Sequence, residues 1–441
     1  MQPVVTPKQV KAVDEAALAI EPLEQILDRV GQAIASELIK ILGDTYGKRI
    51  NVLIGPGLNG ADARVAVPFL ERRGVRAHLI EFADMPARLP DADLTLDGLF
   101  GIGLDRDFEA PDPGIAPVVA VDISSGIDGL TGAELGHAFD AQDTITLMAL
   151  KTGLLFGRGA ECSGTVRVVD IGLDPGEPAA WLVDDGAVAS WLIPRARDAH
   201  KWDHAVLVVA GSPGMTGASH LVSRAAMRTG AGYVHLDSAA PSDPGIPTEV
   251  VASLAGKGVR ADPKRFAAAV VGPGLGSNPA ASQLVNAVVS AIDAPVVIDG
   301  DGLRALDLTA ARPNLVLTPH DGEYAALMGE APGADRIAAA NALVERSAAT
   351  VVLKGPTTVV AAPGKAPRLV MSGDARLATA GTGDVLAGMI GALLARGLDP
   401  FDAAAAAAHL HGIAGSLGPA EGLIASDLPD LIPSAIEQIS A

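Results

Sequence analysis

Short runs of apolar, largely β-branched residues recur along almost the whole chain, and nearly all of them stop at a glycine, an aspartate or a Thr-Pro. In the first half they are Asn51-Val52-Leu53-Ile54 before Gly55, Val118-Val119-Ala120-Val121 before Asp122, and Thr144-Ile145-Thr146-Leu147-Met148. The second half repeats the pattern at 205–209, 233–236, 269–271, 295–298, 314–317 and 350–353. Helical periodicity fills the intervals, as at 7–43, where the apolar positions predict two helices broken near Glu21-Pro22. Strands without polar alternation, separated by helices, are buried on both faces and read as parallel sheet. The expected class is therefore α/β, built as three-layer αβα domains. In such sheets ligands bind beyond the carboxyl ends of the strands, so the strand stops are where chemistry is expected.

A chain of 441 residues exceeds what one core normally holds, and 49% hydrophobic content supplies two. The pattern loosens over 174–199, where Pro175, Pro178 and Pro194 sit among charged residues, which places domains at 1–194 and 195–441. The alanine run 403–408 reads as a well-formed helix rather than a low-complexity tail. With 33 basic against 52 acidic residues the net charge is −19, which argues against nucleic acid or an anionic membrane as partner. Phosphate ligands must then be held by backbone N–H groups, local lysines and metal ions. The single cysteine, Cys162, excludes intrachain disulfides and suits a reducing compartment. Without a cationic start leading into an apolar stretch, or a run of ~18 apolar residues, the expectation is a soluble, cytoplasmic protein.

The most chemically pointed segment is Gly381-Thr382-Gly383-Asp384 running into Val385, Leu386, Met389, Ile390 and Leu393 at helical spacing. Unpaired N–H groups at such a helix start attract phosphate. An aspartate there is badly placed to attract an anion but well placed to take a proton from a hydroxyl that attacks a phosphoryl group. The plainer alternative is that Asp384 only caps the helix. Other strand ends bear on the choice. The loops Gly211 to Ala218 and Gly272 to Gly276 let backbone approach a ligand closely. Thr318-Pro319-His320-Asp321-Gly322-Glu323 offers an imidazole and two carboxylates for a substrate amide or for water around a metal. Lys354-Gly355-Pro356-Thr357-Thr358 places a cation and hydroxyls where a nucleotide phosphate or ribose would lie. A structural histidine and a solvated lysine are the plainer explanations of these two. The order of the four elements is that of a nucleotide site, with Gly381, Thr382 and Gly383 at the phosphates.

These segments, with His200-Lys201, 224–232, Asp299-Gly300-Asp301, His411-Gly412 and Ala425-Ser426-Asp427, resemble the ADP/ATP-dependent NAD(P)H-hydrate dehydratases of the ribokinase-like superfamily over 200–432. Trp202 and Ala205 depart from the family's glycines after His-Lys. The first half, over about 5–175, is similar to the NAD(P)H-hydrate epimerase domain often fused to that dehydratase. Its matching segments are Asp97 to Arg106, Val121 to Gly132 and Lys151-Thr152-Gly153-Leu154. The resemblance implies a Rossmann-like N-terminal and a ribokinase-like C-terminal domain, with Mg²⁺, K⁺ and ADP or ATP as cofactors and co-substrate, the NADH and NADPH hydrates (NADHX, NADPHX) as substrates, and a homo-oligomer.

Carried over residue by residue, the resemblance implies dehydratase contacts at Ala218, Gly274, His320 and Asp384, with Glu323 reaching Mg²⁺ through water. In the other domain it implies potassium ligands Asn59, Asp97 and Ser125, a proton-transferring Asp122, and substrate contacts at Leu58, Asn59, Gly60, Ala61, Asp62 and Gly101, Ile102, Gly103, Leu104, Asp105, Arg106, Asp107. The family's Asn-Asn-Gly-Gly-Asp-Gly loop is Leu58-Asn59-Gly60-Ala61-Asp62-Ala63 here. Leu58 cannot form a hydrogen bond, and Ala61 and Ala63 are expected to crowd backbone that closes on the ligand. A non-catalytic N-terminal domain, a ribokinase-type kinase of a sugar or vitamin alcohol, and a nucleotide sensor without chemistry are the competing readings.

Overall fold

Residue alternation decides the layering of the second half. In strand Ala205–Val209, Val206 and Val208 join one core cluster while Ala205, Leu207 and Val209 join the other, so apolar side chains pack on both faces of the sheet. The computed structural model describes residues 1–240, 243–254 and 262–440. It divides into two compact units, Gln2–Ala180 and Trp181–Ala441. The division lies ahead of the boundary expected near Pro194. The reason is packing on the second unit: Trp181 and Leu182 pair in parallel with Arg368 and Leu369, and helix Asp185–Trp191 is tied to the second unit by a 2.7 Å bond between Asp185 and His409 Nε2.

In Gln2–Ala180 six parallel strands lie in the spatial order Thr165–Val169, Asp143–Leu147, Val118–Val121, Leu94–Gly98, Arg49–Ile54, Arg76–Glu81. The chain therefore starts inside the sheet, steps one way to Arg76–Glu81, then crosses to the other side. That reversal creates a crevice beyond the carboxyl ends of Arg49–Ile54 and Leu94–Gly98. Helices Leu23–Leu42 and Leu58–Glu71 cover one face through Ile34, Leu38, Ala63 and Leu70. Phe108, Phe139 and Leu99 close the other. The two N-terminal helices, Pro7–Leu18 and Leu23–Leu42, break where the periodicity predicts, and the first opens with a reciprocal Thr6/Gln9 capping box.

In Trp181–Ala441 the parallel order is Val251–Leu254, Tyr233–Ser238, Ala205–Val209, Ala268–Val271, Val296–Ile298, Leu315–Leu317, Thr350–Leu353, continued by Thr358–Ala362 and Lys365–Val370 in antiparallel fashion. The reversal here lies between Ala205–Val209 and Ala268–Val271, the strands that end in the two glycine loops. Helices Thr216–Arg228 and Thr382–Ala395 pack on one face and Pro279–Ala291 on the other. Thr382–Ala395 can lie this close only because Gly388 and Gly391 carry no side chain: a Cβ would stand 2.3 Å from Val222 O and 2.4 Å from Val270 Cγ2. The alanine run is buried inside helix Pro400–Leu417. Among the described residues no helix is long and apolar enough to cross a membrane.

Candidate active sites

The helix expected at 384 onward is Thr382–Ala395, and its N-cap is Gly381 in the left-handed region at φ 93°. No side chain caps it, so Asp384 is not the capping residue; it stands in the first turn with its carboxyl free for other work. Burial, then the neighbouring Asp299, push that carboxyl up to about 7, with Lys354 pulling the other way. Gly383 keeps the lysine close: a Cβ there would lie 3.4 Å from Lys354 Nζ and 3.9 Å from Asp299 Oδ2.

Lys354 Nζ bonds Asp299 Oδ1 at 2.9 Å and lies 3.6 Å from Glu323 Oε2. Burial alone would lower its pKa, but Asp299, Glu323 and Asp384 outweigh that and hold the ammonium above its ordinary value. Asp299 also accepts from Thr318 Oγ1 at 2.6 Å. His320 caps helix Asp321–Met328: its Nδ1 accepts from Gly322 N and Glu323 N, which leaves the proton on Nε2, and Glu323 accepts from His320 N in return. Of the two carboxylates expected here, only Glu323 faces Lys354. Asp321 turns to Arg336, whose guanidinium also donates to Lys354 O at 2.8 Å and so buttresses the Lys-Gly loop.

The two glycine loops meet across the topological reversal, Gly211 N donating to Pro273 O at 2.9 Å and Ser212 Oγ to Gly274 O at 2.8 Å. Ala218 and Gly274 are brought together, since a Cβ on Gly274 would lie 2.9 Å from that of Ala218. Beside Lys354 a cavity of about 530 Å³ is lined by Gly355, Pro356, Thr358, Thr382, Gly383 and His411, with apolar walls from Leu377, Leu386 and Ala408. Thr357 is buried and is not one of its walls. The single proton of the Thr382 hydroxyl lies between Leu377 O at 2.9 Å and Thr379 O at 3.0 Å, so it is not free to donate to a ligand. Burial drives His411 down to about 4, keeping it neutral.

In the N-terminal unit a cavity of about 540 Å³ opens at the crevice, and Leu58, Asn59, Asp62, Gly101 to Arg106 and Asp122 line it. The segment 58–63 is not a loop but the first turns of helix Leu58–Glu71. Helical spacing turns 58, 59 and 62 to the cavity and 60 and 63 to the sheet. Gly60 is therefore a packing residue, whose Cβ would meet Gly55 O at 2.0 Å, and the fully buried Ala63 fills the space over Gly98. Ala63, expected to crowd backbone that closes on the ligand, packs on the sheet and does not line the cavity. Gly60, Ala61 and Asp107 are not among the lining residues.

Asp122 sits at φ 67°, and Met148, also in the cavity wall, at φ 67°. Left-handed backbone at a non-glycine residue is costly and clusters at working sites. The fully buried Lys151 makes an ion pair with Asp122 Oδ1 and donates to Leu147 O at 2.6 Å and Thr146 Oγ1 at 3.0 Å. At the end of strand Leu94–Gly98, Asp97 accepts from Ser125 Oγ at 2.7 Å, Ser125 N at 2.8 Å and Leu99 N at 3.1 Å. Burial nevertheless pushes Asp97 up to about 6. Asn59 lies beside Gly101, and its buried Nδ2 has no hydrogen-bond partner among the described residues. Carboxylate, hydroxyl and amide oxygen make an all-oxygen donor set that suits a hard monovalent cation, and a cation there would relieve a buried carboxylate that has no described ion-pair partner.

Sequence reasoning assigned no role to Asp299, Arg336, Asp14 or Lys151. Asp299 carried a readable signal, an acid at a strand stop. Lys151 was visible only as part of a matching segment. Asp14 lies on the polar face of helix Pro7–Leu18 and looks like a solvated residue until the cavity is seen.

Residues 206–438 match the family described as NAD(P)H-hydrate dehydratase, and residues 78–153 the YjeF-related protein N-terminus. A bifunctional NAD(P)H-hydrate repair enzyme Nnr of Mycobacterium tuberculosis is 38% identical over 437 residues, covering 90% of each chain. Its counterpart of the same name in Salinibacter ruber is 34% identical over 519 residues, covering 98% of this chain and 95% of its own. Among solved structures, the ADP/ATP-dependent NAD(P)H-hydrate dehydratase of Bacillus subtilis, co-crystallised with ATP and Mg²⁺, is 28% identical at a TM-score of 0.51, covering 59% of this chain and 99% of that one. A ribokinase-like superfamily protein of Enterococcus faecalis, 20% identical at a TM-score of 0.53 over 59% of this chain and 97% of its own, shares the fold.

Proposed function

The chain belongs to the bifunctional NAD(P)H-hydrate repair enzymes, and from that premise we propose that Trp181–Ala441 dehydrates the S-epimer of NAD(P)H hydrate using ADP or ATP while Gln2–Ala180 interconverts the R- and S-epimers. The observation that carries the dehydratase reading is Asp384, uncapping and half protonated near neutrality, in the first turn of a glycine-opened helix beside Lys354. A hydroxide is a poor leaving group, so the ring hydroxyl must be phosphorylated first. Asp384 takes the hydroxyl proton, and the freed oxygen attacks the terminal phosphate, whose oxygens are held by the helix start at Gly381 to Gly383 and by Lys354. Phosphate then leaves with the C–O electron pair, pushed by the ring-nitrogen lone pair, and the resulting iminium loses a proton from the adjacent ring carbon to the departing phosphate, which closes the C=C bond and gives NAD(P)H, phosphate and AMP or ADP. Gly355, Pro356, Thr358 and the neutral His411 form the nucleotide wall, and Ala218, Gly274 and His320 the hydrate's side. Glu323 would hold Mg²⁺ through water, and the ion would supply charge neutralisation at the phosphates. In the other unit Asn59, Asp97 and Ser125 would hold K⁺, while Asp122, oriented by Lys151, faces the substrate.

Purified chain given both hydrate epimers, ADP and Mg²⁺ is expected to convert all of the hydrate to NADH, followed by absorbance. Asp384→Asn should form it ~10²–10⁴-fold more slowly, and Asp122→Ala should slow to the uncatalysed epimerisation rate after the S-epimer's share. No NADH from the unmodified chain would overturn the proposal.

A further inference from the structure

We propose that Asp62 is the proton donor of the N-terminal reaction, delivering its proton to the hydroxyl oxygen on the reacting carbon while Asp122 stays an anion locked to Lys151. This rests on the epimerase reading above.

The argument starts from donor arithmetic. Four carboxyls, Asp14, Asp62, Asp105 and Asp122, line the same cavity with one ammonium, Lys151, and one guanidinium, Arg106. An ammonium has three protons. Those of Lys151 go to Asp122 Oδ1, Thr146 Oγ1 and Leu147 O, so none remains for Asp62 or Asp14. Asp122 Oδ1 also accepts from Thr146 Oγ1 at 3.1 Å and Leu147 N at 3.2 Å. Among the described residues neither Asp62 nor Asp14 has a hydrogen bond or an ion pair. Arg106, the cation on the facing loop, lies over the Phe100 ring at 5.6 Å, and Asp105 beside it adds only more negative charge. Burial first, then Asp122 and Asp14, push Asp62 up to about 7 against the pull of Lys151. A second observation points to a ligand at this wall. Asn59, one helical turn before Asp62, is nine-tenths buried, and its Nδ2 has no hydrogen-bond partner among the described residues.

The step balances with water as the sole additional reactant. Asp62 gives its proton to the hydroxyl oxygen; the C–O bond breaks and its electron pair leaves with the oxygen as water. The ring-nitrogen lone pair forms the C=N bond, making the carbon planar. Water adds to the opposite face and forms the new C–O bond as the C=N electron pair returns to nitrogen; its surplus proton passes to solvent, from which the Asp62 carboxylate is reprotonated. The centre is inverted, and nothing is oxidised or reduced.

Omitting nucleotide silences the dehydratase, so the test follows conversion of S- to R-NADH hydrate by chromatography with the full chain and no ADP, between pH 5.5 and 8.5. Because the protonated form is the active one, a donor with pKa near 7 predicts a rate about tenfold lower at pH 8 than at pH 6. Asp62→Asn should lose ~10²–10⁴ in rate together with that limb, and Asp62→Glu should keep the limb with part of the rate. Asp14→Asn, which removes a like charge, should move the limb to lower pH. Asp62→Asn should melt no lower than the parent, since it deletes an unpaired acid rather than a contact. An Asp62→Asn chain that epimerises at the parental rate with the same limb overturns the inference and leaves the epimerase reading standing. A parental chain no faster than the uncatalysed reaction overturns both.

Discussion

Asp384 allows the sharpest test, because its environment sets a number. Burial and Asp299 hold its carboxyl at about 7, against an ordinary 3.8, and a general base works only when ionised. At pH 6 about one-eleventh of the molecules carry the base form and at pH 8 about ten-elevenths, so the dehydratase rate should rise about tenfold across that interval. Asp384→Asn keeps the shape but cannot accept the proton; the expected loss is ~10²–10⁴ in kcat, or about 3 to 5 kcal/mol of barrier. The assay is NADH formation from S-NADH hydrate at saturating ADP and Mg²⁺, with the residual activity of Asp384→Asn measured over the same pH range. A terminal phosphate ionises near pH 6, and any limb it contributes is common to both proteins. Only the limb lost in the variant belongs to Asp384. The same shift has a stability consequence of definite sign. A carboxyl with a raised folded-state pKa makes the fold bind protons more tightly than the unfolded chain does, so its penalty is absent below about pH 4 and grows as pH rises to 7. Asp384→Asn should therefore melt higher than the parent at pH 8 and match it near pH 4. A parental rate flat from pH 6 to 8, or a limb that survives in the variant, refutes the assignment.

Three further outcomes follow from the N-terminal unit. Gly60→Ala drives a Cβ to 2.0 Å from Gly55 O, backbone that cannot swing aside, and calorimetry should show a loss of at least ~1–3 kcal/mol while dehydratase activity persists. Lys151→Met strands the Asp122 carboxylate beside two other acids and should cost about 3–5 kcal/mol. Protonation relieves a stranded acid, so denaturant unfolding should find that cost smaller at pH 5 than at pH 8; an equal cost at both would refute the ion-pair account. If the proposed K⁺ site neutralises Asp97, replacing K⁺ by tetramethylammonium should lower both the epimerisation rate and the N-terminal melting temperature, with recovery on adding KCl.

Strand positions were legible because a parallel strand buried on both faces must be apolar at every position. The predicted 205–209 and 350–353 coincide with Ala205–Val209 and Thr350–Leu353. Hydrogen-bond partners were not legible. Nothing in His320-Asp321-Gly322-Glu323 says that the histidine will spend Nδ1 on a helix cap or that Asp321 will turn to Arg336, fifteen positions on in the sequence. The altered segment 58–63 was misjudged for a related reason: as a loop each changed residue threatens the ligand, but as a helix only every third or fourth one can.

The sequence by itself determined the α/β layering, the two glycine loops and the glycine-opened helix start proposed to bind phosphate, because each depends on local backbone preference and on periodicity along the chain. Tertiary structure alone decided which charges stand against which. Asp299 beneath Lys354, and Asp14 and Asp62 left without a partner once Lys151 is saturated, are meetings of residues tens to more than a hundred positions apart. Acid strength and protonation depend on burial and on the nearest charge, and both come into being only when the strand ends converge.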